Sequence, residues 1–177
     1  MRKSTFLALL ALTLLAACQN QTPAPPPPPA EAVAPTFTPE EETAIKQLLV
    51  SETEVWIARD SAKWFAMYAH HPNSLQVWNN RDGSWDQNQG WANVEREMIK
   101  SYQSAPDPYH DKAEQANWVI QRCGPDWAWV YFDQTIRNKK GEVYPTKEIR
   151  MLQRLGGDWK IVQVAAFWDY TKSKPSK

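Results

Sequence analysis

The chain has 177 residues carrying 20 basic and 20 acidic side chains, a size that suits one modest domain and a balance with no basic excess to hold a phosphate backbone. Nucleic acid is therefore not an expected partner. Ten tryptophans are many for this length, and each brings a large apolar area plus an N–H that needs a partner when buried, so they predict a compact core with some rings left on display.

Arg2 and Lys3 precede an apolar run over residues 6–17, too short to span a bilayer as a mature helix and suited to a secretory signal. The run ends in Leu15-Ala16-Ala17-Cys18, which resembles the bacterial lipobox. In that class, small residues before the cysteine admit the lipoprotein signal peptidase, and acyl chains such as palmitate are attached to the thiol. The resemblance implies a signal peptide over 1–17, lipid on Cys18, and the membrane as a partner through that lipid. Each buried methylene contributes about 0.8 kcal/mol to such an anchor. Gln19 stands where an Asp would retain a Gram-negative lipoprotein at the inner membrane, which implies the periplasmic space and the outer membrane. Cleavage removes Arg2 and Lys3 and leaves two more acidic than basic side chains. Residues 18–37 then form a lipidated, proline-rich tether, and Pro25 to Pro29 in a row prefer polyproline II over a packed core. Cys123 is the other cysteine; with Cys18 acylated it has no disulfide partner, and its strand-like surroundings predict a buried thiol.

The folded part is expected over residues 38–170, followed by a polar tail over 171–177. Thr38-Pro39-Glu40-Glu41 is a helix start, with Thr38 as cap, Pro39 at the first helical position and Glu41 completing a capping box. Ile45, Leu48, Leu49, Val55 and Trp56 share one face of a helix running to about residue 59. Trp56, Asp60, Trp64 and Tyr68 recur every four residues. They read either as one wall of a pocket or as an apolar helix face resting on a sheet. Asp60 has an equal explanation as the cap of a second helix through Tyr68. Residues 74–80 read as a strand and 81–90 as a polar loop. A third helix is expected over 91–102, with Val94, Met98, Ile99 and Tyr102 on one side. Strands follow over 114–123, 127–137, 142–155 and 159–170. Gly124-Pro125-Asp126, Asn138-Lys139-Lys140-Gly141 and Gly156-Gly157-Asp158 separate them, and turns this short make neighbours antiparallel.

No cofactor or metal motif emerges. Adjacent His70 and His71 cannot both face one metal from regular structure. Asp82, Ser84, Asp86 and Asn88 alternate like a calcium loop but lack its central glycine and closing glutamate.

The order of elements, with Ala66-Met67-Tyr68-Ala69 before the first strand, Glu148-Ile149-Arg150, and Gly157-Asp158-Trp159-Lys160-Ile161-Val162 near the end, resembles the nuclear-transport-factor-2-like superfamily, including its SnoaL-like and ketosteroid-isomerase-like members. The resemblance implies an α+β fold: a cone-shaped, curved antiparallel sheet packed on three N-terminal helices. Fold does not fix function in such a superfamily. Its ketosteroid isomerases require a helix tyrosine, a strand aspartate and a late protonated aspartic acid. Those positions fall here on Glu52, on Gln76 to Trp78, and on Met151, so the enolisation template is not matched.

Three functional readings stay open. The first is a small apolar or sugar-like ligand held between Trp56, Trp64, Tyr68, Trp78, Trp129 and Tyr131, with Asp60, Asn80 and Asp133 orienting its polar groups. The second is a hydrolase, lyase or isomerase using Asp60 or His70 as general base, with Glu52 and Asp133 as further candidates. The third is a homodimer or protein-interaction module. Trp127, Trp129 and Tyr131 alternate with Ala128, Val130 and Phe132, so both faces of that strand are apolar and a partner sheet is expected on the outer one.

Overall fold

A computed structural model describes residues 36–172 except 81 and 110. The expected signal peptide, Cys18, the tether over 19–35 and tail residues 173–177 lie outside the described residues.

Helix α1 spans Pro39–Ile57 and starts as its sequence dictates. The Thr38 hydroxyl accepts from the Glu41 amide at 3.2 Å, and the Glu41 carboxylate accepts from the Thr38 amide at 3.0 Å, so two orphan donors of the first turn are satisfied. Glu41 does more than cap. It also receives Arg122 at 2.6 Å and an ion pair from Arg154, and these guanidiniums lie over the rings of Phe37 and Trp159. The start of α1 is thereby clamped to the strands.

Helix α2 spans Ser61–Met67, and Asp60 caps it by accepting from the Lys63 amide at 3.1 Å. Between the helices Arg59 takes a positive φ of 58°, which costs a non-glycine residue energy. Its buried guanidinium repays that by donating to the carbonyls of Ala105 at 2.7 Å and Ser101 at 2.5 Å and by covering Tyr102. Those partners belong to the end of α3 (Trp91–Ser104) and the residue after it. The kink between α1 and α2 is therefore fixed by α3. On α3, Val94 and Tyr102 are buried, but Ile99, expected on the same face, is 41% exposed.

The six strands are β1 Leu75–Asn79, β2 Trp85–Gln89, β3 Lys112–Arg122, β4 Trp127–Arg137, β5 Val143–Leu155 and β6 Asp158–Trp168, in sheet order β2-β1-β6-β5-β4-β3. Two features depart from the sequence reading. Residues 81–90 are not all loop, because β2 pairs antiparallel with β1, Val77 opposite Gln87. The sheet is also not wholly antiparallel: β1 runs parallel to β6, Leu75 beside Gln163. Pro145 sits within β5 opposite Thr135, and its carbonyl accepts from the Asp169 amide at 2.9 Å. Two irregularities bend the sheet, one in β3 between Ala116 and Val119, where Asn117 has φ 55°, and one in β6 opposite Met151 and Leu152.

The core lies between the helices and the sheet face carrying Ala128, Val130, Phe132, Leu152 and Ile161, packed against Ile45, Leu49, Trp64 and Val94. Fully burying a side chain such as Phe132 or Leu152 contributes about 1.5–3 kcal/mol each. Cys123 is not buried as expected: it follows β3, where the chain turns toward β4, and is exposed.

Candidate functional site

Successive strand residues point to opposite faces. The β4 and β5 residues sharing a face with the core should therefore be apolar throughout, and they are not. After Val130 and Phe132 the same row continues with Gln134, and before Leu152 it runs Glu148, Arg150. All three polar residues are buried, at 7%, 2% and 4% exposure. They floor a cavity of about 760 Å³ between the helices and the sheet. Its walls come from Trp56 on α1, Trp64 and Tyr68 on and after α2, Trp78 on β1, and Val164 and Ala166 on β6. Its rim includes Asp86 on β2, and Glu97 and Lys100 on α3.

The floor is one connected network. Arg150 donates from Nε and Nη2 to one Glu52 oxygen, at 3.3 and 3.2 Å, and from Nη1 to Glu148 at 2.8 Å. The other Glu52 oxygen accepts the Tyr68 hydroxyl at 2.5 Å. Glu148 also accepts from Thr146 at 2.5 Å. Thr53 donates to Gln134 at 2.9 Å, and Gln115 donates to both, at 3.0 and 2.9 Å. Burial pushes the Tyr68 phenol well above its ordinary value, with the Glu52 carboxylate adding to the effect, so Tyr68 stays a proton donor. Burial alone would weaken the charge on Arg150, but Glu52 and Glu148 outweigh it and hold the guanidinium charged.

Of the expected ligand-contacting residues, Trp56, Trp64, Tyr68 and Trp78 meet at this cavity. The others do not. Asp60 is occupied as the α2 cap and in an ion pair with Lys63 at 2.8 Å, which together hold its carboxyl below the usual range. Asn80 ties the β1–β2 turn, donating to Ser84 at 3.0 Å and Asp86 at 2.9 Å. Trp129, Tyr131 and Asp133 have the opposite parity to Val130 and Phe132 and so stand on the outer face. There Trp129 stacks on Tyr131 at 6.5 Å. Asp133 accepts from Lys147 at 2.5 Å, Asn117 at 2.8 Å and Tyr131 at 2.9 Å; burial would raise its pKa, but these bonds outweigh it and hold the carboxyl well down. His70, a candidate base, is exposed and stacks on Trp91 at 4.0 Å, outside the cavity lining.

The sequence reading missed Arg150, Glu148 and Gln134. Polar residues at core parity in β4 and β5 were the available signal. Ile161 pairs with Leu152, and Met151 falls on the outer face. Glu52, which takes the position expected for the isomerase tyrosine, is bonded to Tyr68, the residue just after α2.

No protein-family model matches the sequence, and no curated protein matches it. Solved structures do. An NTF2-like protein of unknown function from Pseudomonas putida superposes with a TM-score of 0.60 at 16% identity, covering 80% of this chain and 96% of that one. A ketosteroid isomerase-like protein from Erwinia carotovora gives 0.51 at 19% identity, covering 74% and 98%. The association domain of C. elegans CaMKII gives 0.54 at 14% identity, covering 72% and 95%. Three helices and a curved six-stranded mixed sheet closing on one cavity make this the fold of the nuclear-transport-factor-2-like superfamily.

Proposed function

We propose that the domain binds a small ligand with an apolar body in the tryptophan-walled cavity, held at the cell envelope by lipid on Cys18. The observation that carries the reading is the pairing of aromatic walls, Trp56, Trp64 and Trp78, with a buried polar floor in a space of about 760 Å³. Binding sites are mostly apolar with a few fixed polar groups, and this volume suits a drug-sized or sugar-like molecule. Binding without turnover suits the residues better than the alternative hydrolase or lyase chemistry. Asp60 is spent as a helix cap, His70 lies outside the lining, and both Glu52 oxygens already accept hydrogen bonds.

Three of the ten tryptophans line the cavity, so ligand entry reads out in intrinsic fluorescence. Titration with apolar metabolites and glycans should shift emission saturably, and Trp78→Ala should weaken the effect at least tenfold. A full panel that leaves emission unchanged would sink the ligand reading. The anchor has its own test: labelled palmitate should enter the wild-type chain and not Cys18→Ser, with the wild type sedimenting in the outer-membrane fraction.

The outer sheet face supports a second role, self-association. Val119 and Phe167 are 43% and 39% exposed there, beside half-buried Trp129, Tyr131 and Ile149. Contiguous exposed apolar side chains mark protein–protein contact sites. Sedimentation velocity should give a dimer that Val119→Glu disperses; a monomer at high concentration would refute it.

A further inference from the structure

The charges around the cavity do not balance. Among its described lining residues, Glu52, Glu148, Asp86 and Glu97 stand against Arg150 and Lys100. At the rim, Glu97 pairs with Lys100 at 2.9 Å and with Arg96 at 3.3 Å, so the surplus lies at the floor. At the floor, two buried carboxylates share one guanidinium, and that guanidinium already gives Nε, Nη1 and Nη2 to them. A ligand carboxylate or phosphate entering the floor would find no unpaired cation there and would meet a surplus negative charge. The Tyr68 and Thr146 hydroxyls are committed to Glu52 and Glu148. Trp56, Trp64 and Trp78 line the same space, and indole rings attract cations more strongly than any other aromatic side chain.

Resting on the reading of this space as a ligand pocket, we propose that the cavity selects cations, taking an amine or quaternary ammonium carried on an apolar body. The ammonium group would sit between the tryptophan walls and the Glu52–Arg150–Glu148 floor. The apolar body would cover Val164, Ala166 and Met98 toward the rim. Selection would come from three contributions: ring quadrupoles, the uncompensated carboxylate, and the low effective dielectric of a partly closed site.

The experiment is isothermal titration of the folded domain with three probes of matched shape: 4-phenylbutyltrimethylammonium, 4-phenylbutanol and 4-phenylbutyrate. The ammonium is expected to bind at least tenfold tighter than the alcohol, and the carboxylate at least tenfold weaker than the alcohol. Glu148→Gln, which keeps an acceptor for Arg150, should cut the ammonium-over-alcohol preference severalfold, read as the ratio of the two affinities within the same variant. Trp78→Leu, which keeps apolar bulk and removes the ring, should do the same by a different route. Equal binding of ammonium and alcohol overturns cation selection and leaves the pocket reading standing. Saturable binding of none of the three overturns both. If Glu148→Gln fails to fold, Trp78→Leu decides: an unchanged preference in that variant refutes the aromatic part of the proposal.

Discussion

Among the described residues, Arg150 is the one cation at the cavity floor, and Arg150→Met leaves two buried carboxylates facing each other's charge. Arg150 lies 3.2 Å from Glu52 and 2.8 Å from Glu148, and all three residues are buried. At an effective dielectric of about 20, Coulomb attraction at these separations is about 5 and 6 kcal/mol. Most of that gross attraction is offset by the cost of taking three charges out of water. What truncation exposes is the uncompensated remainder, about 3–5 kcal/mol when one partner of a buried pair is removed. With a urea slope of about 2 kcal/mol per molar, the midpoint should fall by about 2 M at neutral pH with the slope unchanged. The triple variant Arg150→Met, Glu52→Gln, Glu148→Gln carries no buried charge at the floor and should regain most of the loss, since replacing a whole buried ion cluster is often near neutral. Urea unfolding followed by circular dichroism makes both measurements. A loss below about 1 kcal/mol in the single variant would show that the floor is hydrated and that the carboxylates do not depend on Arg150.

Thr38→Ala removes one half of the capping box and should cost about 1 kcal/mol, read as a lowered thermal midpoint, while Thr38→Ser should be nearly neutral. Glu41 is held at about 2, below its ordinary 4.5, first by the Thr38 amide and then by Arg154 and Arg122. A carboxyl depressed in the folded state contributes stability that is present above 4.5 and lost as pH falls toward 2. The urea midpoint should therefore drop between pH 5 and pH 2.5, and Glu41→Gln should flatten that drop; Asp133, also held low, adds to it in the same direction. Cys123 is exposed, so a thiol reagent should modify it in the native protein at a rate close to that in denaturant. Slow, unfolding-limited labelling would contradict its placement.

The parts of the fold that depend on local chemistry were readable along the chain. Thr38 and Glu41 announced α1, Asp60 announced α2, and the glycine-bearing turns separated β3 to β6 within a residue or two. β2 was not readable because Trp85-Asp86-Gln87-Asn88-Gln89 has no buried face to impose alternation; it exists because it borrows the backbone bonds of β1 at the sheet edge. The walls of the cavity were half legible. Trp56, Trp64 and Tyr68 follow from helical spacing, whereas Trp129, Tyr131 and Asp133 carry the same composition on the wrong side of the sheet. Parity decides that, and parity needs a reference residue whose face is known. The Glu52–Arg150 contact joins residues far apart in the chain, and no local spacing points to it.

The parallel pairing of β1 with β6 sets an order of assembly. Residue 75 must wait for residue 163, and Tyr68 and Ala69 wait for Ile161, whose carbonyl accepts the Ala69 amide at 2.8 Å. The hairpins from β3 to β6 close over short turns, while the β1–β6 contact closes a loop most of a domain long and comes late. Until then α1 and α2 have a partial sheet to rest on, and β1 has only exposed, polar β2 beside it. A chain stopped before residue 158 would therefore not hold a weakened pocket. It would hold none, and it would present Val77 and Trp78 on an unpaired edge, open to any other strand in solution.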